Sequence, residues 1–225
     1  MNNPEQSYSY SIAWKLYAAL RKMYVQGVEQ LAGSAATMPT GINGYHSYGL
    51  SSYPLAVAAW EAFLNETCMS GRAKISFPNS TLWNIRNKAD WWNIEDKTFL
   101  IPKLLLGETF DKSAQPYQDF LLLVRIRNHI VHFRPEVVPK KELKQLSQRC
   151  LTLGQTDHLW HLEIESTECL RWTINVICNM AGFLTSLSPH LSMLSTNFKV
   201  ISDDEALSIF IATHGTQNTK NTSID

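Results

Sequence analysis

Apolar residues recur along this chain with helical spacing almost everywhere. Over residues 11–32 (SIAWKLYAALRKMYVQGVEQLA) they fall at Ile12, Leu16, Leu20, Tyr24, Val28 and Leu31. Steps of three and four residues place them on one face, which predicts an amphipathic helix stopping at Gly33. The next stretch, 33–50, is rich in Gly, Ser and Thr and reads as a long loop. Residues 53–69 (YPLAVAAWEAFLNETCM) are apolar on nearly every side apart from Glu61, Asn65 and Glu66, so this helix is expected at the centre of the core, capped by Ser51 or Ser52 with Pro54 in its first turn. Residues 79–107 predict two short helices parted near Asp90 to Asn93, with Trp83, Trp91 and Trp92 supplying buried area.

Pro116 is expected to open a strong helix, PYQDFLLLVRIRNHIVHF, that Pro135 closes. Pro139 opens another, which Gly154 ends. Residues 159–165 (LWHLEIE) alternate apolar and polar like a strand. A lone strand has nothing to pair with, so an extended connector is expected. Ser166 or Thr167 then caps a long apolar helix, and a last short helix runs from Asp203 to His214 before a polar, disordered tail at 215–225. The reading is a single all-α domain over 1–214, a bundle of about six to eight helices with its core in 51–188.

Composition narrows the functional classes. Hydrophobic residues make up 44% of the 225 and charged residues 18%, enough for a sizeable core. Lys plus Arg equals Asp plus Glu at 20 each, so any nucleic-acid site must come from local clustering of charge. Cys68, Cys150, Cys169 and Cys178 show no C-x-x-C spacing and read as buried reduced thiols. Apolar runs such as Phe120 to Val124 fall far short of the roughly 18 residues a membrane helix needs, and MNNPEQSYSYS has neither a basic nor an apolar leader region. A cytoplasmic protein without a membrane partner is the expectation.

The stretch with chemical content is 125–134, RIRNHIVHFR. At about 100° per residue, Phe120, Leu123, Val124, Ile130 and Val131 define one face and Arg127 projects from its middle. Arg125, Asn128, His129 and His132 lie on another side. A cation on a core-facing stripe needs a carboxylate or an anionic ligand, because burying an unpaired charge costs several kcal/mol. Glu61, the interior charge of the other buried helix, is the candidate partner. If that pair forms, Arg127 only orients two helices; otherwise it is half of an anion site. Arginine offers planar, bidentate recognition of phosphate, and histidine moves protons near neutral pH. Between 125 and 144 stand Arg125, Arg127, Arg134, Lys140, Lys141 and Lys144 against Glu136 and Glu142, a local excess of positive charge suited to a polyanion. His158 and His161 near Glu163 lack a second ligand cluster, and no metal or cofactor site is read there.

Arg127-Asn128-His129-Ile130-Val131-His132 resembles the R-x4-6-H signature of the HEPN superfamily, including the polar residue favoured after the arginine. The helix AVAAWEAFLNE is similar to the early HEPN helix, with Glu61 in its acidic position. The resemblance covers residues 51–188. It implies an all-α fold and a metal-independent endoribonuclease, often a toxin of a toxin–antitoxin pair or an antiviral defence effector, working as a homodimer that joins two motifs across one cleft. By the same resemblance, Arg127 would stabilise charge on the scissile phosphate, His132 would act as general base or acid, and Asn128 would orient either. Arg125, His129, Arg134 and Lys140 would hold RNA, and a cognate antitoxin or regulator would be a further partner. The implied products are a 2′,3′-cyclic phosphate and a 5′-hydroxyl. The alternative is a non-catalytic module of the same fold that binds nucleotide or a partner protein. Arg127 and His132 stand roughly 140° apart on a straight helix, so reach, a distorted helix end or a sister motif must bring them together. Arg134 departs from the tyrosine some members carry two residues after the motif histidine, which argues against control by modification there.

Overall fold

The computed structural model describes residues 11–34, 48–69, 75–89, 91–134, 137–149, 160–188, 191 and 198–220. The described residues form helices and no strand: α1 (Ile12–Ser34), α2 (Tyr48–Met69), α3 (Leu82–Ala89), α4 (Ile94–Leu106), α5 (Tyr117–Val131), α6 (Lys140–Ser147), the single turn α7 (Trp160–Glu163), α8 (Thr167–Leu187) and α9 (Asp203–Lys220). Eight of these span eight residues or more, in keeping with the expected all-α bundle. No helix among the described residues is long and apolar enough to cross a membrane.

Helix α2 is the central element. Its apolar residues face several directions, and Ala56, Val57, Ala59, Trp60, Phe63 and Leu64 are all buried. It packs on α1, α8, α5 and α4. Trp60 is fully buried, stacked on Phe63 and edge-on to Phe110 and Phe120, and its Nε1–H donates to Thr98 Oγ1 at 2.8 Å. Truncating such a residue to Ala typically costs about 3–5 kcal/mol, so this aromatic node dominates the core. The helix begins one turn before the expected Ser51–Ser52 cap, which places Pro54 inside it. Residues 35–47 of the expected loop lie outside the described residues.

Local signals set most other boundaries. Asn93 caps α4, its Oδ1 accepting from Asp96 N–H at 2.8 Å, and Gly107 ends it in the left-handed conformation (φ 80°) that favours glycine. Ser166 caps α8, its Oγ accepting from Cys169 N–H at 3.1 Å. Cys68, Cys169 and Cys178 are buried; Cys150 lies outside the described residues.

Four expectations are corrected. Residues 160–163 close a helical turn instead of an extended connector, because Trp160 turns inward to 2% exposure and anchors the segment. Trp91 is 89% exposed: in the link between α3 and α4, only Trp92 of that pair packs on the core. Helix α6 stops at Ser147, and Gly154 lies outside the described residues. Helix α9 runs to Lys220, past the expected end at His214.

Candidate nucleic-acid interface

Helix α5 positions the site by running out of apolar residues. Tyr117, Phe120, Leu122, Leu123, Val124 and Ile126 are buried. Beyond them Arg127, His129 and Ile130 are half-buried, while Asn128 and Val131 to Arg134 are exposed. The first turns lie in the core and the last one emerges from it, carrying the motif. Val131, expected on the buried face, is 50% exposed for this reason.

The helix ends at His132. Its N–H still donates to Asn128 O at 3.0 Å, but its backbone (φ −108°, ψ 44°) has left the helical region. The straight-helix separation of Arg127 and His132 therefore does not apply to the last residue. Asn128, His129, His132 and Arg134, with Val137, line one cleft of about 380 Å³. Arg127 does not line it. It reaches the cleft wall through Asn128, donating from Nη1 to Asn128 Oδ1 at 2.9 Å. That bond leaves the Asn128 amide nitrogen as a donor. A C-terminal helix end carries partial negative charge, which opposes an anion. Any phosphate here must be held by side-chain cations.

The anticipated Arg127–Glu61 pair does not form. Glu61 accepts from Lys97 Nζ at 2.6 Å, and the Lys97 side chain is only 4% exposed. Lys97 sits on α4 facing α2, so the nearer, more deeply buried cation takes the carboxylate. Arg127 forms no ion pair among the described residues, and its Nε is buried without a hydrogen-bond partner. Arg125 is placed similarly: Nη2 donates to Gln145 Oε1 at 3.3 Å, while Nε is buried and unpartnered. His129 Nε2 lies 4.0 Å from Glu142 Oε2, which tethers it loosely to α6. Lys140 is exposed at the first residue of α6.

The structure thus gathers Asn128, His129, His132 and Arg134, holds Arg127 one bond away, and keeps Glu61 elsewhere. A neighbouring cleft of about 320 Å³, lined by Leu50, Ile130, Phe133, Trp160 and His161, escaped the sequence reading. The clue was Trp160 beside His161, obscured by the strand-like alternation around them. No group of three or more His, Cys, Asp or Glu among the described residues is arranged to hold a metal ion. Comparison with family models, with curated proteins and with solved structures finds no match to this chain.

Proposed function

We propose that this protein is an endoribonuclease of the HEPN type that cleaves RNA without a metal ion. The observation that carries the reading is the cleft of Asn128, His129, His132 and Arg134, to which the otherwise unpaired Arg127 is hydrogen-bonded. Among the described residues the carboxylate beside these groups is Glu142, 4.0 Å from His129, and a cluster of cations and imidazoles so weakly neutralised is a receptor for a phosphodiester. In the reaction, the RNA 2′-oxygen bonds to phosphorus as His132 takes its proton. The bond from phosphorus to the 5′-oxygen breaks, and that oxygen leaves protonated by a second acid. The products are a 2′,3′-cyclic phosphate and a 5′-hydroxyl. Arg127 neutralises charge on the pentacoordinate phosphorus, and Asn128 orients its oxygens. A homodimer that faces two motifs across one cleft would supply the second acid and bring the partner's guanidinium to the phosphate. Service as a toxin or defence effector, with a cognate antitoxin, belongs to the same reading.

The test is incubation of the purified protein with total RNA in EDTA, followed by mapping of fragment ends. Cleavage leaving cyclic phosphate ends is expected, and His132→Ala should lose about 10²–10⁴-fold with an unchanged circular-dichroism melt. Intact RNA, cleavage that needs a divalent ion, or full activity in His132→Ala would each overturn it. The second reading, a non-catalytic module binding nucleotide or a partner protein, is favoured by one observation: within a single chain Arg127 stays off the cleft wall. It predicts binding with no cleavage at all.

A further inference from the structure

The second cleft lies directly beside the first. His132 lines the first cleft and Phe133 the aromatic one, so consecutive residues, with Cα atoms about 3.8 Å apart, form part of each. A second link is His129, whose ring meets Trp160 edge-on at 6.4 Å between centroids. The aromatic cleft is walled by Phe133 and Trp160, tilted at 6.0 Å, with His161 edge-on to Phe133 at 6.0 Å. Ile130 and Leu50 complete it. Phe133 is 49% exposed, an apolar ring left facing water. Trp160 Nε1 and His161 Nδ1 are buried away from the cleft surface, without a hydrogen-bond partner among the described residues, so the cleft presents an apolar lining.

An occupant must therefore offer a flat face for the exposed Phe133 ring and a negative charge close by for the neighbouring cations. We infer that this cleft is a nucleobase subsite, seating the base of a nucleotide whose phosphate lies among Asn128, His132 and Arg134. Its volume, about 320 Å³, falls at the lower end of small-molecule sites. Stacking on Phe133 supplies affinity for any base. The inference rests on the proposed reading of the first cleft as a phosphate site, and it adds a base requirement that the cleavage chemistry does not demand.

Calorimetric titration of the full chain with adenosine 3′-monophosphate and with inorganic phosphate tests it. The nucleotide should bind more tightly than phosphate. Phe133→Ala should weaken the nucleotide about five- to a hundredfold and leave phosphate unchanged. An RNA oligonucleotide whose 2′-oxygens are methylated, and so cannot attack phosphorus, should compete if RNA is the source of the base; failure to compete identifies free nucleotide as the ligand and leaves the subsite standing. Equal affinity for nucleotide and phosphate, no measurable binding of either, or no effect of Phe133→Ala overturns the subsite. So does a dimer that dissociates in Phe133→Ala while nucleotide affinity holds, since the groove would then seat a second copy. RNA cleavage in the same samples separates the two ideas. A base-dependent affinity without cleavage sinks only the nuclease, and cleavage indifferent to Phe133 sinks only the subsite.

Discussion

Two polar clusters in this molecule are built to opposite rules. At the first, the Tyr17 hydroxyl on α1 donates to Lys199 O at 2.5 Å and accepts from Lys199 N–H at 2.9 Å. Cys178 Sγ stands 3.7 Å away on α8, and Arg21 joins Tyr17 and pairs with Glu205 on α9. Burial pushes the Tyr17 hydroxyl and the Cys178 thiol each up to about 12, so both stay neutral at physiological pH. Each donor has its acceptor, and three helices are locked together. At the end of α5 the balance differs. Arg127 has no ion pair among the described residues, the Nε atoms of Arg125 and Arg127 are unsatisfied, and the nearby carboxylate, Glu142, is loosely placed at 4.0 Å from His129. A closed network does structural work. An open one with an excess of one sign keeps its affinity for something outside the fold.

The comparison breaks most readily at Arg127. If the open cluster is for ligand, Arg127→Ala should lower RNA cleavage about 10²–10³-fold, measured as kcat/KM, and leave the melting temperature within a degree or two of wild type. A large drop in melting temperature with cleavage intact would make Arg127 structural. Next comes Glu61→Ala, which strands the Lys97 ammonium at 4% exposure. Removing one partner of a buried pair costs about 3–5 kcal/mol; because Glu61 is itself 40% exposed, about 2 kcal/mol is expected in urea unfolding, with no specific effect on cleavage.

Tyr17→Phe sharpens the contrast from the other side. It leaves the Lys199 N–H without its acceptor and the Lys199 carbonyl with the Arg21 Nη1 donor at 3.3 Å, and should cost about 1 kcal/mol by denaturant unfolding. The smallest effect is expected at Glu165, whose carboxyl burial pushes up to about 7. The folded protein then holds a proton that the unfolded chain releases near pH 4.5, so stability from this group is full below about pH 4.5 and is lost as pH rises to about 7. Glu165→Gln should flatten that dependence and raise the melting temperature at pH 8 by about 2 °C, with no gain at pH 4. A gain at both pH values would mean that ionisation is not the cause.

The candidate site was legible as far as local spacing reaches. The segment 125–134 declares its chemistry through its residue types, and Pro116 and Ser166 mark the start of α5 and α8 because a fixed φ and a side-chain acceptor act within one turn. The alternation in LWHLEIE misled because period two in so short a run cannot be told from one helical turn anchored by Trp160. The aromatic cleft was invisible for a related reason: Leu50, Phe133 and Trp160 come from three separate segments.

By itself, then, the sequence determined the helical class, the central place of α2 and the cationic character of the end of α5, since periodicity and composition are properties of neighbouring residues. Tertiary structure alone decided that Glu61 takes Lys97 instead of Arg127, that Trp91 faces water while Trp92 packs, and that His132 and Phe133 serve two adjoining clefts. Those outcomes depend on which groups arrive within a few ångströms of each other from distant parts of the chain. Ion pairing and burial act at that range, and no spacing along the sequence measures it.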